Sequence, residues 1–173
     1  MSYLISDGIL ESELSKWLVE AGQKNGEFKD GRINYTHADI APVVMITVAC
    51  GNEILLVKRG YGLADAEGYW STVNGFIDEN KPVKAIAAQE LSEELGLNVS
   101  SAIIKVGKSY TMKSPKEKRS YIVFPCLVKL SSKPKIVLDR EHTEYAWIHR
   151  PQLEGYHILD DLPTIIDTAL ELL

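Results

Sequence analysis

The stretch QELSEELG, residues 89–96, constrains this chain more than any other part of it. Residues three and four apart on a helix are neighbours, so Glu90, Glu93 and Glu94 fall within an arc of about 100°. Ala88, Leu91 and Leu95 occupy the adjoining arc and can seat the helix on a sheet, which places the acidic face beside the core. Two like charges about 6 Å apart at an effective dielectric of ~20 repel by roughly 2–3 kcal/mol. Either solvent and nearby lysines offset that repulsion, or a hard divalent cation does, because magnesium and manganese take carboxylate oxygens and bridge them to phosphate oxygens. Pro82 suits a first helical turn and Gly96 a C-terminal stop, so the spacing predicts a helix over 82–95. It is fed by the loop NGFIDENKP, whose backbone carbonyls open onto the acidic face.

Around this helix the apolar periodicity predicts a helix over 9–23, with Ser6 and Asp7 as caps, and another over 163–173 behind Asp161. Strands are expected at 43–49, 54–58, 70–73, 103–106, 121–128 and 145–148, the first two joined by a hairpin turn at Gly51-Asn52. The run GEFKDGRINYTHADIAP reads as a linker or extended arm. Strands precede and follow one central helix and do not alternate with helices. The expectation is therefore an α/β fold with a mixed sheet and helices on its faces. The domain division is 1–37 for the N-terminal helix and arm and 38–173 for the main domain.

With 173 residues, 45% of them hydrophobic and 25% charged, one domain can bury a substantial core. A net charge of −5 makes a nucleic-acid polymer an unlikely partner, since polymer binding draws most of its affinity from neutralised phosphates. No apolar run reaches the roughly 18 residues of a membrane span, and the N-terminus lacks the basic start of a signal peptide, so a cytoplasmic location is expected. Cys50 and Cys126 sit inside apolar runs and read as buried free thiols. Leu10, Leu14, Trp17 and Leu18 can bury against a second subunit, making a homodimer, or against the chain's own sheet.

The run GFIDENKPVKAIAAQELSEELGL resembles the Nudix box: a glycine, five residues, Glu, seven residues, Arg-Glu, an aliphatic residue, any residue, Glu-Glu, any residue, Gly and an aliphatic residue. Gly75, Glu90, Leu91, Glu93, Glu94, Gly96 and Leu97 match over 75–97, while Lys81 stands for the first Glu and Gln89 for the Arg. YWSTVNG, ILLVKR and EHTEYAWI resemble flanking parts of the same family, over roughly residues 41–150. The resemblance implies a MutT-like α/β/α sandwich with a mixed sheet, carrying an added N-terminal helix.

It also implies a pyrophosphohydrolase using Mg2+ or Mn2+. The metal would be held by Glu90, Glu93, Glu94 and the backbone carbonyl of Asn74, and the substrate would be a nucleoside diphosphate linked to another group or a nucleoside triphosphate. Glu93, Glu94 and Glu141 are the catalytic candidates; Glu141 and Glu144 lie where the family places a further acid, or are solvated loop acids. Arg59 is a candidate phosphate contact through its planar guanidinium, or an ordinary strand-end arginine. Tyr110, Lys113 and Arg119 flank the polar tip SPKEK, where a base or sugar can be read or which is simply a hairpin end. His142 reads as a surface histidine. The altered pair Lys81 and Gln89 leaves a second possibility open, a domain that binds nucleotide or regulates without turnover.

Overall fold

The computed structural model describes residues 5–62, 66–114 and 118–173, with backbone alone for residues 5–7. Two long apolar strands form its centre. β2 (Ile40–Cys50) and β8 (Arg119–Leu130) run parallel, in register from Ile40↔Ser120 to Cys50↔Leu130, and their buried runs show that both faces are covered. Antiparallel partners complete a mixed sheet: β3 (Glu53–Arg59) and β5 (Val73–Phe76) on β2, β4 (Trp70–Ser71) and β9 (His142–His149) on β3, and β6 (Ile103–Val106) and β7 (Tyr110–Ser114) on β8. β1 (Ile5–Asp7) adds to β7. The β2–β3 turn places Gly51 at φ 58, as a two-residue hairpin demands.

β7 and β6 share one side of β8, and the change of partner falls at Pro125. β7 pairs as far as Val123, β6 pairs from Cys126, and the Pro125 carbonyl accepts the Gly107 N–H at 2.8 Å. Proline has no N–H to give a ladder, so the partner strand breaks where the donor is missing.

Strand alternation sends the two faces to different helices. Val44, Ile46, Val48, Phe124, Cys126 and Val128 face α1 (Glu11–Asn25) and α2 (Val83–Leu95), joined by Leu14, Leu18, Ile86, Ala87, Leu91 and Leu95 in one buried cluster. Ala49, Ile54, Leu56, Leu127 and Ile148 face α3 (Leu162–Leu170) through Leu162 and Ile166. The layers are α/β/α, as the family resemblance implied. Leu14 and Leu18 are spent on the chain's own core, and Leu10 is exposed. Among the described residues no helix is long and apolar enough to cross a membrane.

Several expectations need correction. The helix α1 starts after Leu10, whose N–H is accepted by Glu13 Oε2 at 2.9 Å, so a glutamate of the first turn satisfies the start in place of Ser6 or Asp7. The single strand expected at 70–73 is two short ones, β4 and β5. The arm expected as linker is folded back on itself: Glu27 bridges to Ile33, and Ile33 and Tyr35 are buried.

Candidate functional site

The acidic helix is held in place by its apolar side. Val83, Ile86, Ala87, Leu91 and Leu95 are buried, and Gly96 ends the helix in the left-handed region at φ 63, with its N–H bonded to the Leu91 and Ser92 carbonyls. That seating turns Glu90 and Glu94 inward and leaves Glu93 exposed. Glu94 is only 8% exposed, an unusual place for a carboxylate with no cation against it.

Opposite the helix stands β5, bonded to β2 with Asn74 against Met45 and Gly75 against Val44. A Cβ at Gly75 would lie 2.3 Å from the Glu90 carboxyl carbon. The missing side chain is therefore what lets the Glu90 carboxylate lie over the Asn74–Gly75 backbone. From the other side the segment before β9 brings in Glu141 and Asp139. Glu141 donates its backbone N–H to Asp139 Oδ1 at 2.9 Å, and its carbonyl accepts the Gly60 N–H at 2.7 Å.

The electrostatics follow from this crowding. Burial first, then the charges of Glu93 and Asp78, push the Glu90 carboxyl up to about 7; burial, then Glu90, Glu141 and Asp139, push Glu94 up to about 9. Both groups are thus short of positive charge. His142 cannot supply it, since its own burial lowers its pKa below the ordinary 6.5. The ring is only 7% exposed, with Nδ1 3.2 Å from Asp139 Oδ1 and Nε2 3.6 Å from Glu94 Oε2. The expectation of a surface histidine is corrected: it packs behind Glu94 as a neutral spacer.

The two altered box positions touch each other. Lys81 Nζ donates to Gln89 Oε1 at 3.1 Å and pairs with Glu79 at 2.5 Å, and Gln89 Nε2 donates to Glu93 Oε1 at 3.0 Å. A lysine and an amide thus form a relay that ends on Glu93 and orients it.

Glu79, Gln89 and Glu93 line a cleft of about 550 Å³, which Lys81 does not reach. Asn74, Gly75, Glu90, Glu93, Glu94, Glu141 and Arg59 all border it, so the structure brings together most of the residues singled out from sequence. Asp78, Glu79, His142 and Arg32 border it as well. The cleft also has apolar lining, from Val43, Met45, Met112 and Val123 of the sheet, Leu162 and Ile165 of α3, and Phe76, Trp70 and Tyr121, with Asp161 beside Leu162.

Two of the substrate-binding candidates lie elsewhere. Glu144 is not among the cleft-lining residues; its carboxylate pairs with Lys58 at 2.6 Å across β9 and β3. Tyr110 is buried beneath the apolar wall with Val43, Met112 and Val123, where burial pushes its phenol up to about 12. The loop tip at 115–117 lies outside the described residues.

The donor set fits a hard divalent cation on three counts: oxygen ligands alone, two carboxylates whose burial leaves them short of positive charge, and a glycine cradle that a Cβ would fill. Among the described residues no three His, Cys, Asp or Glu side chains converge as ligands, so beside Glu90 and Glu94 the remaining oxygens would come from the Asn74 carbonyl, from water and, when bound, from a substrate diphosphate.

The model of the NUDIX domain family matches residues 39–167. No curated protein sequence matches the chain. Among solved structures, a MutT protein from Methanosarcina mazei Go1 superposes with a TM-score of 0.64 at 16% identity, covering 79% of this chain and 96% of that one. The E. coli dihydroneopterin triphosphate pyrophosphohydrolase gives 0.61 at 15% identity, covering 76% and 96%. The NUDIX domain of Shewanella oneidensis NrtR, complexed with ADP ribose, gives 0.63 at 15% identity, covering 76% and 87%.

Proposed function

The chain belongs to the NUDIX domain family, and from that premise we propose that it is a metal-dependent pyrophosphohydrolase, cleaving the diphosphate of a nucleoside diphosphate linked to another group or of a nucleoside triphosphate. The observation that carries this reading is the pairing of half-buried Glu90 and buried Glu94 with the bare Gly75 backbone, a set of oxygens facing a cleft that also has apolar walls.

Glu90, Glu94 and the Asn74 carbonyl would hold Mg2+ or Mn2+, with Glu93 sharing the cluster. A divalent ion there neutralises the diphosphate and acidifies water at neutral pH. Glu93, held by the Gln89 amide, and Glu141, at the cleft's other wall, stand ready to take a proton from the attacking water. Arg59 gives the cleft a guanidinium for a phosphate oxygen. The sheet wall of Met45, Met112 and Val123 suits a planar base, because methionine adapts to a ring face. The likeness of the NrtR domain, solved with ADP ribose, supports a ligand of this chemical class.

The lysine–glutamine relay supports an active enzyme over a domain that only binds, because Glu93 retains a partner in spite of both replacements. The test is product release from nucleoside triphosphates, nucleotide sugars, ADP-ribose and dinucleoside polyphosphates with Mg2+ or Mn2+, comparing wild type with Glu94→Gln. Turnover that needs the metal and is lost in Glu94→Gln supports the reading; nucleotide binding with no turnover anywhere overturns it in favour of a regulatory domain.

A further inference from the structure

The family domain begins at residue 39, yet the loop joining β5 to α2 is held from outside it. Ile33 donates its N–H to the Asp78 carbonyl at 2.9 Å, and the Tyr35 hydroxyl donates to the Ile77 carbonyl at 3.0 Å. The Arg32 guanidinium lies 3.8 Å from the Asp78 carboxylate, and the Glu11 carboxylate of α1 accepts the first helical N–H of α2, that of Val83, at 3.3 Å. Tyr35 is packed between Trp17 and Phe76, with ring centroids 6.4 and 5.7 Å away. Arg119 of β8 holds the arm in turn, donating to the Tyr35 and Thr36 carbonyls at 2.8 and 3.1 Å.

This loop is the only covalent link between the two halves of the acidic end. It leaves the Asn74–Gly75 backbone at one end and enters the helix bearing Glu90 at the other. Ile77 is fully buried, so water does not stand in for a lost partner at its carbonyl. Asp78 borders the cleft, and so does Arg32, whose guanidinium 3.8 Å from the Asp78 carboxylate ties the arm to the cleft's own lining.

We propose that the N-terminal arm is a working part of the acidic cleft, in which Tyr35 and Arg32 are positioning residues that set the spacing between the Asn74–Gly75 backbone and Glu90. The inference rests on the divalent-ion reading above and names a segment that builds that site from outside the family domain.

The test is Mn2+ binding to the full chain, followed by the electron paramagnetic resonance of the free ion, with metal-free melting curves beside it. Tyr35→Phe keeps the ring and removes only the hydroxyl; Arg32→Gln changes a half-exposed side chain and decides the matter alone should the first variant not fold. Loss of such outer partners weakens metal sites by about tenfold or more, so the Mn2+ dissociation constant should rise about tenfold in Tyr35→Phe and in the same direction in Arg32→Gln. Under turnover kcat should fall more than KM changes. Arg150→Gln, which breaks the surface pair with Asp167, should leave Mn2+ affinity unchanged. A Tyr35→Phe protein that melts lower but binds Mn2+ as wild type does would overturn the proposal. Failure of the wild type to bind Mn2+ would instead sink the divalent-ion reading, and the inference with it.

Discussion

Replacing Glu94 by glutamine should make the metal-free protein more stable while removing its response to metal. Glu94 is held at about 9 by burial and by neighbouring carboxylates, against an ordinary 4.5 when unfolded. At about pH 7.5 the unfolded carboxyl is ionised and the folded one protonated, and each pH unit above the unfolded value costs about 1.4 kcal/mol, hence at most about 4 kcal/mol. Part of that total is shared with Glu90, and a glutamine amide must find its own acceptors, so a gain of about 2 kcal/mol is expected. For a domain of this size that raises Tm by about 4–8 °C. The direction with pH follows from the raised value. The protonated form stabilises the fold fully below the unfolded pKa, and that contribution is lost as pH rises towards about 9. Wild type should therefore lose stability between about pH 5 and 9 along a slope that Glu94→Gln reduces. Melting curves across this range, with and without Mg2+, read both effects. A Glu94→Gln protein that melts below wild type at every pH without metal would refute the argument from burial.

Gly75→Ala should place a methyl against the Glu90 carboxylate, 2.3 Å from its carbon; a loss of activity of about 100-fold or more in a folded protein, read from kcat and circular dichroism, is expected where a metal ligand is displaced. Lys81→Glu alone should weaken activity by setting a carboxylate beside Glu79 and Gln89, and adding Gln89→Arg should restore it, with a coupling of about 1 kcal/mol in a double-mutant cycle. Arg59→Ala should raise KM about tenfold with little change in kcat if its guanidinium serves binding alone, measured by steady-state kinetics. Leu91→Ala removes a fully buried side chain beneath the acidic face and should cost about 3 kcal/mol in urea unfolding.

The acidic helix was legible because its information is local: Pro82 and Gly96 bracket a pattern whose buried face and glutamate face both follow from helical spacing. β6 was legible for a similar reason, its four residues matching the span expected. β7 was missed because YTMKS is short and mostly polar, and it becomes a strand by pairing with β8 on one edge and β1 on the other. The arm shows the same limit. Its polar run hides two residues, Ile33 and Tyr35, whose burial depends on a loop more than forty positions away. His142 looked like a surface histidine because nothing adjacent in sequence reveals that β9 lies behind Glu94. The acid Glu141 was found and Asp139 was not, although the two share a bond, since only the former matched a family position. The relay through Lys81 and Gln89 reads from sequence as two losses, whereas the side chains meet across a helical turn and a loop.

The central claim is that water attacks phosphorus at this acidic end, and turnover in 18O-enriched water tests it most directly. With Mg2+ or Mn2+ and the substrate found from the panel, mass spectrometry should show one label per turnover, carried on a phosphoryl oxygen of one product and absent from uncleaved substrate. Products bearing no label on phosphorus, or label in the same amount from Glu94→Gln, would contradict it.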